Sequence, residues 1–380
     1  MLRIGIVAGE VSGDMLAADL VNALKKRRTD IEITGIGGTG LRQAGCILLY
    51  PMEKLAVMGI AEVLGRYPEL WNIRRSVKDY FLANRPDVFI GVDAPDFNFP
   101  LERALRGAGI KTIHYVSPSV WAWREYRLRA ISRSVDMMLT LFPFENACYE
   151  KHNIPVSFVG HPLARRIAMH TDKKQARKSL GLPEDKTIIA LLPGSRSSEL
   201  VKHIRPFLQA ADWCRLKMDN LHFTSSLVDD KATAYLRAKA AIIAPLVELT
   251  VYTGRSLEVM EAADVVLLAS GTAALEAMLL KRRMVVGHKV NWWTYQIARR
   301  LVHIPCVSLP NILAGRKIVP ECLQDECTPE NLGREILNWL DHPELADKLV
   351  EEFTGLHQLI RTDSDEVLVN AVLRVLDAAT

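Results

Sequence analysis

Four stretches of this 380-residue chain combine small residues with groups able to do chemistry. Ala8-Gly9-Glu10-Val11-Ser12-Gly13-Asp14 ends an apolar run with two glycines, a hydroxyl and two carboxylates. Glycine admits a ligand close to the backbone, and a following helix offers free N–H groups. The plainer alternative is a strand-to-helix turn with Ser12 or Asp14 as its N-cap. Val88–Asn98 places Asp93 and Asp96 just past a second apolar run, where one carboxylate is suited to general-base work and where Asp and Asn serve equally well as turn formers. Leu192-Pro193-Gly194-Ser195-Arg196 supplies a guanidinium, the side chain best matched to phosphate oxygens. Ser270-Gly271-Thr272 opens a helix expected over Ala273–Lys281. Its hydroxyls and N–H groups suit a diphosphate, and Glu276, one turn in, suits ribose hydroxyls. Each turn alone is an ordinary cap, but two phosphate-suited turns in one stretch of chain favour a nucleotide site.

Other motifs weigh less. Gly35-Ile36-Gly37-Gly38-Thr39-Gly40 matches the dinucleotide fingerprint, yet the helix Leu41–Ala44 is cut short by Gly45 and the apolar run Cys46–Tyr50, so a glycine-rich turn is favoured. Asp363-Ser364-Asp365 resembles a metal-holding D-x-D but opens a helix, where N-capping is its expected role. Of six cysteines only Cys322 and Cys327 are close in sequence, and the histidines form no metal-binding pair. No metal and no other cofactor is expected. Leu55–Leu64 is apolar on nearly every side and is followed by Arg66, Tyr67, Trp71, Arg74, Arg75 and Lys78. Two readings stand: a buried helix, or a surface that dips into a membrane interface and meets anionic lipid.

The elements that must hold these groups are legible as strand-length apolar runs alternating with helical stretches: Arg3–Ala8, Ile31–Ile36, Val88–Val92, Thr112–Val116, Met137–Leu141 and Val156–Val159. A second series follows a polar stretch: Ile188–Leu192, Leu221–Ser226, Val247–Val251, Val265–Leu268 and Met284–Val286. The expectation is an α/β chain with two doubly wound parallel-sheet (Rossmann-like) domains facing a cleft, divided as 1–165, 166–330 and a helical region 331–380. Ligands of such sheets sit at the carboxyl ends of the strands, where all four stretches fall. Hydrophobic residues are 49% and charged residues 24%, so the chain should fold, and no run reaches the ~18 apolar residues of a bilayer-spanning helix. The first residues read as a β-strand and not as a signal peptide, and reduced thiols fit a cytoplasmic protein. The net charge of +4 falls entirely within residues 1–165, too little for a nucleic-acid protein but compatible with an anionic partner surface.

Several phrases together resemble one family: Ala8–Asp14, Ala56-Val57-Met58-Gly59, Gly91–Asn98, Tyr115–Trp123, Leu192–Arg196, Ser270–Glu276 and Ser308–Gly315. From end to end the chain is similar to the lipid-A-disaccharide synthases. The resemblance implies a two-domain glycosyltransferase of the B type, inverting and metal-independent, whose C-terminal domain holds UDP. It implies transfer from UDP-2,3-diacylglucosamine to 2,3-diacylglucosamine 1-phosphate, giving a β-1′,6-linked disaccharide. It further implies a homodimer working at the cytoplasmic face of the inner membrane, with no nucleic-acid partner. By the family's pattern Asp93 is the base, while Ser12, Arg196 and Asn311 are tied to activity or UDP binding. Ser270, Gly271, Thr272, Glu276, Glu321 and Gln324 lie in UDP-binding stretches. Both substrates are lipids, which favours a membrane-facing role for Val57, Met58, Ile60, Val63, Leu64, Arg66 and Trp71. Phe223–Leu227 departs from the family's more apolar, proline-containing strand end, leaving Ser225 and Ser226 without an assigned role.

Overall fold

The computed structural model describes residues 1–55, 60–123, 125–291, 295–296, 306–362 and 364–377. Strands buried on both faces read as continuous apolar runs, and the central strands of both sheets are of this kind. One unit holds a seven-stranded sheet: β1 (Leu2–Ala8), β2 (Ile31–Gly37), β3 (Ile47–Pro51), β4 (Val88–Val92), β5 (Lys111–Tyr115), β6 (Met137–Thr140) and β7 (Val156–Phe158). The strands are parallel and ordered β3-β2-β1-β4-β5-β6-β7. The helices α1 (Val11–Arg27), α2 (Thr39–Gln43), α3 (Ile60–Ala83) and α4 (Pro95–Gly107) connect its first half.

The other unit holds a six-stranded sheet: β8 (Thr187–Leu192), β9 (Leu221–Leu227), β10 (Leu249–Thr253), β11 (Val265–Leu268), β12 (Arg283–His288) and β13 (Glu321–Leu323). Its order is β10-β9-β8-β11-β12-β13, again parallel. The run Cys46–Tyr50, which interrupts the expected crossover helix, is the edge strand β3. The three-residue edge strand β13 is too short to read from sequence.

In each sheet the winding reverses at one point, between β1 and β4 and between β8 and β11. Such switch points open the crevice in which ligands of doubly wound sheets bind. Gly9–Asp14 and Asp93–Asn98 flank the first; Gly194–Arg196 and Ser270–Thr272 flank the second.

The units divide as Met1–Pro162 with Ile360–Thr380, and Leu163–Leu359. This differs from the expected division into 1–165, 166–330 and 331–380. The helix Pro329–Asp341 and all but the last residue of Pro343–Ile360 belong with the six-stranded sheet, whereas Ser364–Asp377 returns to the seven-stranded one. Leu368, Val369, Val372 and Val375 join the core formed by Leu20, Val21 and Leu24 of α1. Lys26 pairs with Asp365 at 2.9 Å, and Arg27 with Glu366 at 3.4 Å. An amphipathic pattern tells which face of a helix is buried, not which sheet buries it. Asp363, expected to cap this helix, lies outside the described residues. Among the described residues no helix is long and apolar enough to cross a membrane.

Candidate active site

Asp93 and Ala94 follow β4 with left-handed backbones, φ 53° and 44°. For residues other than glycine this costs roughly 1–2 kcal/mol each and persists only when the surroundings enforce it. They do so here. The Asp93 N–H donates to Tyr115 O at 2.9 Å, and the fully buried Asn98 donates from Nδ2 to Asp93 O at 2.8 Å. A Cβ on Gly9 would stand 2.8 Å from Ala94 Cβ, and one on Gly13 would stand 3.6 Å from Asp93 Cβ. Gly9 therefore lets the two turns meet, whereas the contact at Gly13 would be an ordinary one, and Asp93 sits partly exposed beside the first turn of α1, where Ser12 is exposed. Asp96 pairs with Arg127 at the surface, its side chain 83% exposed, whereas Asp93 is only partly exposed at the switch point.

The other groups of these turns are structural. Asp14 is buried and accepts from the N–H groups of Gly38 at 2.7 Å, Gly40 at 2.8 Å and Leu41 at 3.2 Å. The glycine-rich motif thus binds an anion, but the anion is the chain's own carboxylate. Neither Ser12 nor Asp14 caps α1: Glu10 holds the N-cap position, and its side chain does not cap the helix. Behind the Asp93 turn, Glu102 and His114 form a fully buried pair at 2.7 Å, and burial raises the Glu102 pKa while the histidine pulls it back.

Glu145 was not singled out in the sequence. Its Oε2 accepts from the N–H groups of Leu141 at 3.1 Å and Phe142 at 3.0 Å. Burial pushes its pKa up to about 7, against these two amides and the side chains of Ser117 and Trp121. It braces the segment after β5, where Ser117 Oγ also meets Tyr149 Oη at 2.7 Å.

In the second unit Gly194 has φ 117°, and a Cβ there would stand 2.6 Å from Glu199 Oε2. That carboxylate accepts from the N–H groups of Ser195 at 3.2 Å and Arg196 at 3.4 Å, so the backbone donors of this turn are already engaged. What remains for an anion is the Arg196 guanidinium, 77% exposed and 3.2 Å from Glu199 Oε1. Across the switch point, Ser270 and Gly271 adopt φ 133° and 77°, and the helix Thr272–Leu279 begins with Gly271 and Thr272 exposed. Burial raises the Glu276 pKa to about 7.

Asn311 and Glu321 prove to be one buried network. Glu321 accepts from the N–H of Ser308 at 2.8 Å, its hydroxyl at 2.6 Å and Asn311 Nδ2 at 2.8 Å. Asn311 Oδ1 accepts from Ile318 and Val319 at 2.8 and 2.9 Å. Their polar atoms shape the helix Leu309–Ala314 and the turn after it. Gln324, at φ 49°, is partly buried beyond β13. Ser225 and Ser226 are likewise committed: Ser225 donates to Leu191 O at 2.6 Å, and Ser226 accepts from Arg255 N–H at 2.9 Å.

Among the described residues no group of three metal-ligating side chains forms, and all six cysteines are free thiols. Val57 and Met58, and the side chains of Ile60, Val63, Leu64 and Arg66, lie outside what the structure describes. Farther along α3, Ile73, Val77 and Phe81 face the core. Trp71 is 46% exposed, with the Arg75 guanidinium 5.6 Å from its ring centre. Trp71, Arg74, Arg75, Lys78, Pro100 and Leu101 line a depression of about 350 Å³.

A family described as "Lipid-A-disaccharide synthetase" matches residues 4–372. The "Lipid-A-disaccharide synthase" of Aeromonas hydrophila is 49% identical over 375 residues, covering 99% of this chain and 98% of its own. That of Vibrio cholerae is 47% identical with the same coverage. Among solved structures, a UDP-GlcNAc 2-epimerase from Neisseria meningitidis bound to UDP-GlcNAc superposes with TM-score 0.66 at 14% identity, over 98% of this chain and 100% of its own. At that identity the likeness concerns the fold alone.

Proposed function

Because the chain belongs to the lipid-A-disaccharide synthase family, we propose a division of labour for its reaction in which the first unit supplies the base and the second holds the nucleotide. The enzyme joins UDP-2,3-diacylglucosamine to 2,3-diacylglucosamine 1-phosphate. Asp93 takes the proton of the acceptor 6-hydroxyl as that oxygen attacks the anomeric carbon, and the bond from that carbon to the diphosphate oxygen breaks. UDP leaves with the electron pair, and attack from the opposite face inverts the configuration to β. Arg196 and the N–H groups opening the helix at Thr272 offset the charge that develops on the leaving diphosphate. Glu276 receives the ribose hydroxyls, while Asn311 and Glu321 act by holding the turn that precedes Gln324. Ser12, exposed beside Asp93, orients the acceptor.

The observation that carries this reading is the enforced left-handed backbone at Asp93, which sets a partly exposed carboxylate at the β1/β4 switch point. Purified protein incubated with both lipid substrates is the test, read by mass spectrometry. Disaccharide 1-phosphate and UDP in equal amounts are expected. Free diacylglucosamine and UDP, formed equally well without acceptor, would instead mark a hydrolase.

Peripheral attachment to the cytoplasmic face of the inner membrane is part of the same proposal, supported by the aromatic and basic face of α3. Assembly as a homodimer rests on the resemblance alone, and light scattering of the purified chain decides it.

A further inference from the structure

His288 ends β12, beside the carboxyl end of β11 in the parallel register that pairs Leu268 with Val286. Its Nδ1–H donates to the carbonyl of Ala269 at 2.8 Å, the residue immediately before the Ser270-Gly271-Thr272 turn. That bond fixes both the tautomer and the plane of the ring. It leaves Nε2 as the second nitrogen, which makes no hydrogen bond among the described residues, on a side chain that is partly exposed.

A second imidazole lies against the first. His203, on the helix Ser197–Arg215, stacks on His288 with ring centres 5.4 Å apart, and both its nitrogens are engaged: Nδ1–H donates to Pro193 O at 3.1 Å, and Nε2 accepts from Lys289 N–H at 2.9 Å. Of the pair, only His288 has a nitrogen to give a ligand. The charged and titratable groups that act on it are Glu199, Lys202 and His203 from that helix; Lys289 follows it in the chain, and Glu321 of β13 is committed to Ser308 and Asn311. Burial, with Lys202 adding to it, lowers the pKa of His288 against the pull of Ala269 O and Glu199, so the ring is neutral at neutral pH. The His203 pKa is lowered to about 4, chiefly by burial.

We propose that His288 offers Nε2 to the diphosphate of the bound uridine nucleotide, taking one proton from solvent as the diphosphate arrives and donating the new N–H to a phosphate oxygen. No substrate bond changes in this step, and the proton returns to solvent when UDP departs. A nearby anion stabilises the charged imidazole, and a charge-assisted N–H···O bond is about twice as strong as a neutral one. The inference rests on the donor-site reading above and adds to it a ligand that is absent until the nucleotide binds.

Calorimetric titration of the full chain with UDP, slightly above neutral pH and in two buffers of different ionisation enthalpy, counts the protons taken up. His288→Asn keeps a short donor for Ala269 O but cannot reach the diphosphate. His288→Gln reaches farther with a neutral N–H. Wild type should take up about one proton more per UDP than either variant, a difference in which any contribution of Glu276 or of UDP itself cancels. UDP affinity should fall about tenfold in His288→Asn and recover in part in His288→Gln. Uridine affinity should be equal in all three, which a merely structural loss would not allow. Equal proton uptake in wild type and variants overturns the role of His288 while leaving the donor site standing. No binding of UDP to natively folded wild type overturns the donor-site reading and this inference with it.

Discussion

The places of Asp93, Arg196 and Ser270–Thr272 were legible, because each follows a strand-length apolar run and the structure has a buried strand there, the end that doubly wound sheets present to ligands. Asn311 and Glu321 were legible as positions but not as roles, since hydrogen bonds that spend every polar atom inside the fold leave no mark on spacing. Glu145 left a still weaker signal: one carboxylate in an amphipathic helix, whose burial depends on Ser117, Trp121 and Tyr149 arriving from elsewhere. Its pKa yields a prediction. The folded state holds its proton to about pH 7, against 4.5 as the ordinary value. Between those limits the native chain binds more protons than the unfolded one. This contribution to stability is therefore complete below the unfolded value and is lost as pH rises through the folded one. Glu145→Gln cannot ionise, so wild type should lose melting temperature relative to the variant as pH is raised from about 4.5 to about 7, and the difference should level off above that. A difference between the two that is constant with pH would show that Glu145 does not titrate there.

At the scale of elements, the glycine-rich turn before α2 shows why a motif needs its context. The sequence offered too short a helix for a dinucleotide site, and the structure supplies the physical reason the turn exists: Asp14, more than twenty residues earlier, fills it with a carboxylate. Asp14→Ala would strand three N–H groups, two of them buried beside the carboxylate they lost, and should destabilise the fold by about 3 kcal/mol in a urea titration. A shift of a few tenths would mean that water replaces the carboxylate. The helix α3 divides its labour by face, with Ile73, Val77 and Phe81 inward and Trp71, Arg75 and Lys78 outward. Cations at an anionic leaflet contribute about 1 kcal/mol each, so replacing Trp71 by serine and Arg75 and Lys78 by glutamine should lower sedimentation with anionic vesicles by about thirtyfold or more. The melting temperature should hardly move, because exposed substitutions seldom matter to stability. Vesicle binding at the wild-type level would confine α3 to a structural role.

The whole molecule is two doubly wound units, and the chain leaves the first at Pro162 and re-enters it at Ile360. The strand series predicted the two sheets; the return of the last helix was hidden, because its apolar stripe would suit either. Deleting residues 364–377 removes Leu368, Val369, Val372 and Val375 and uncovers Leu20, Val21 and Leu24 of α1; buried side chains of this kind contribute about 1.5–3 kcal/mol each, a large part of the 5–15 kcal/mol that keeps an ordinary domain folded. Hydrogen exchange should then rise in β1, α1 and β5 while β8, β11 and β12 keep their protection. Equal loss in both sheets would contradict this division. If the carboxylate at the end of β4 takes the acceptor's proton, turnover of Asp93→Asn with both lipid substrates is the decisive measurement, alongside circular dichroism to verify the fold. The amide cannot accept the acceptor's proton, and removal of a general base typically costs about 10²–10⁴-fold, so disaccharide formation should fall by that factor in a natively folded protein that still binds UDP. Turnover at the wild-type rate in that variant would remove Asp93 from the reaction.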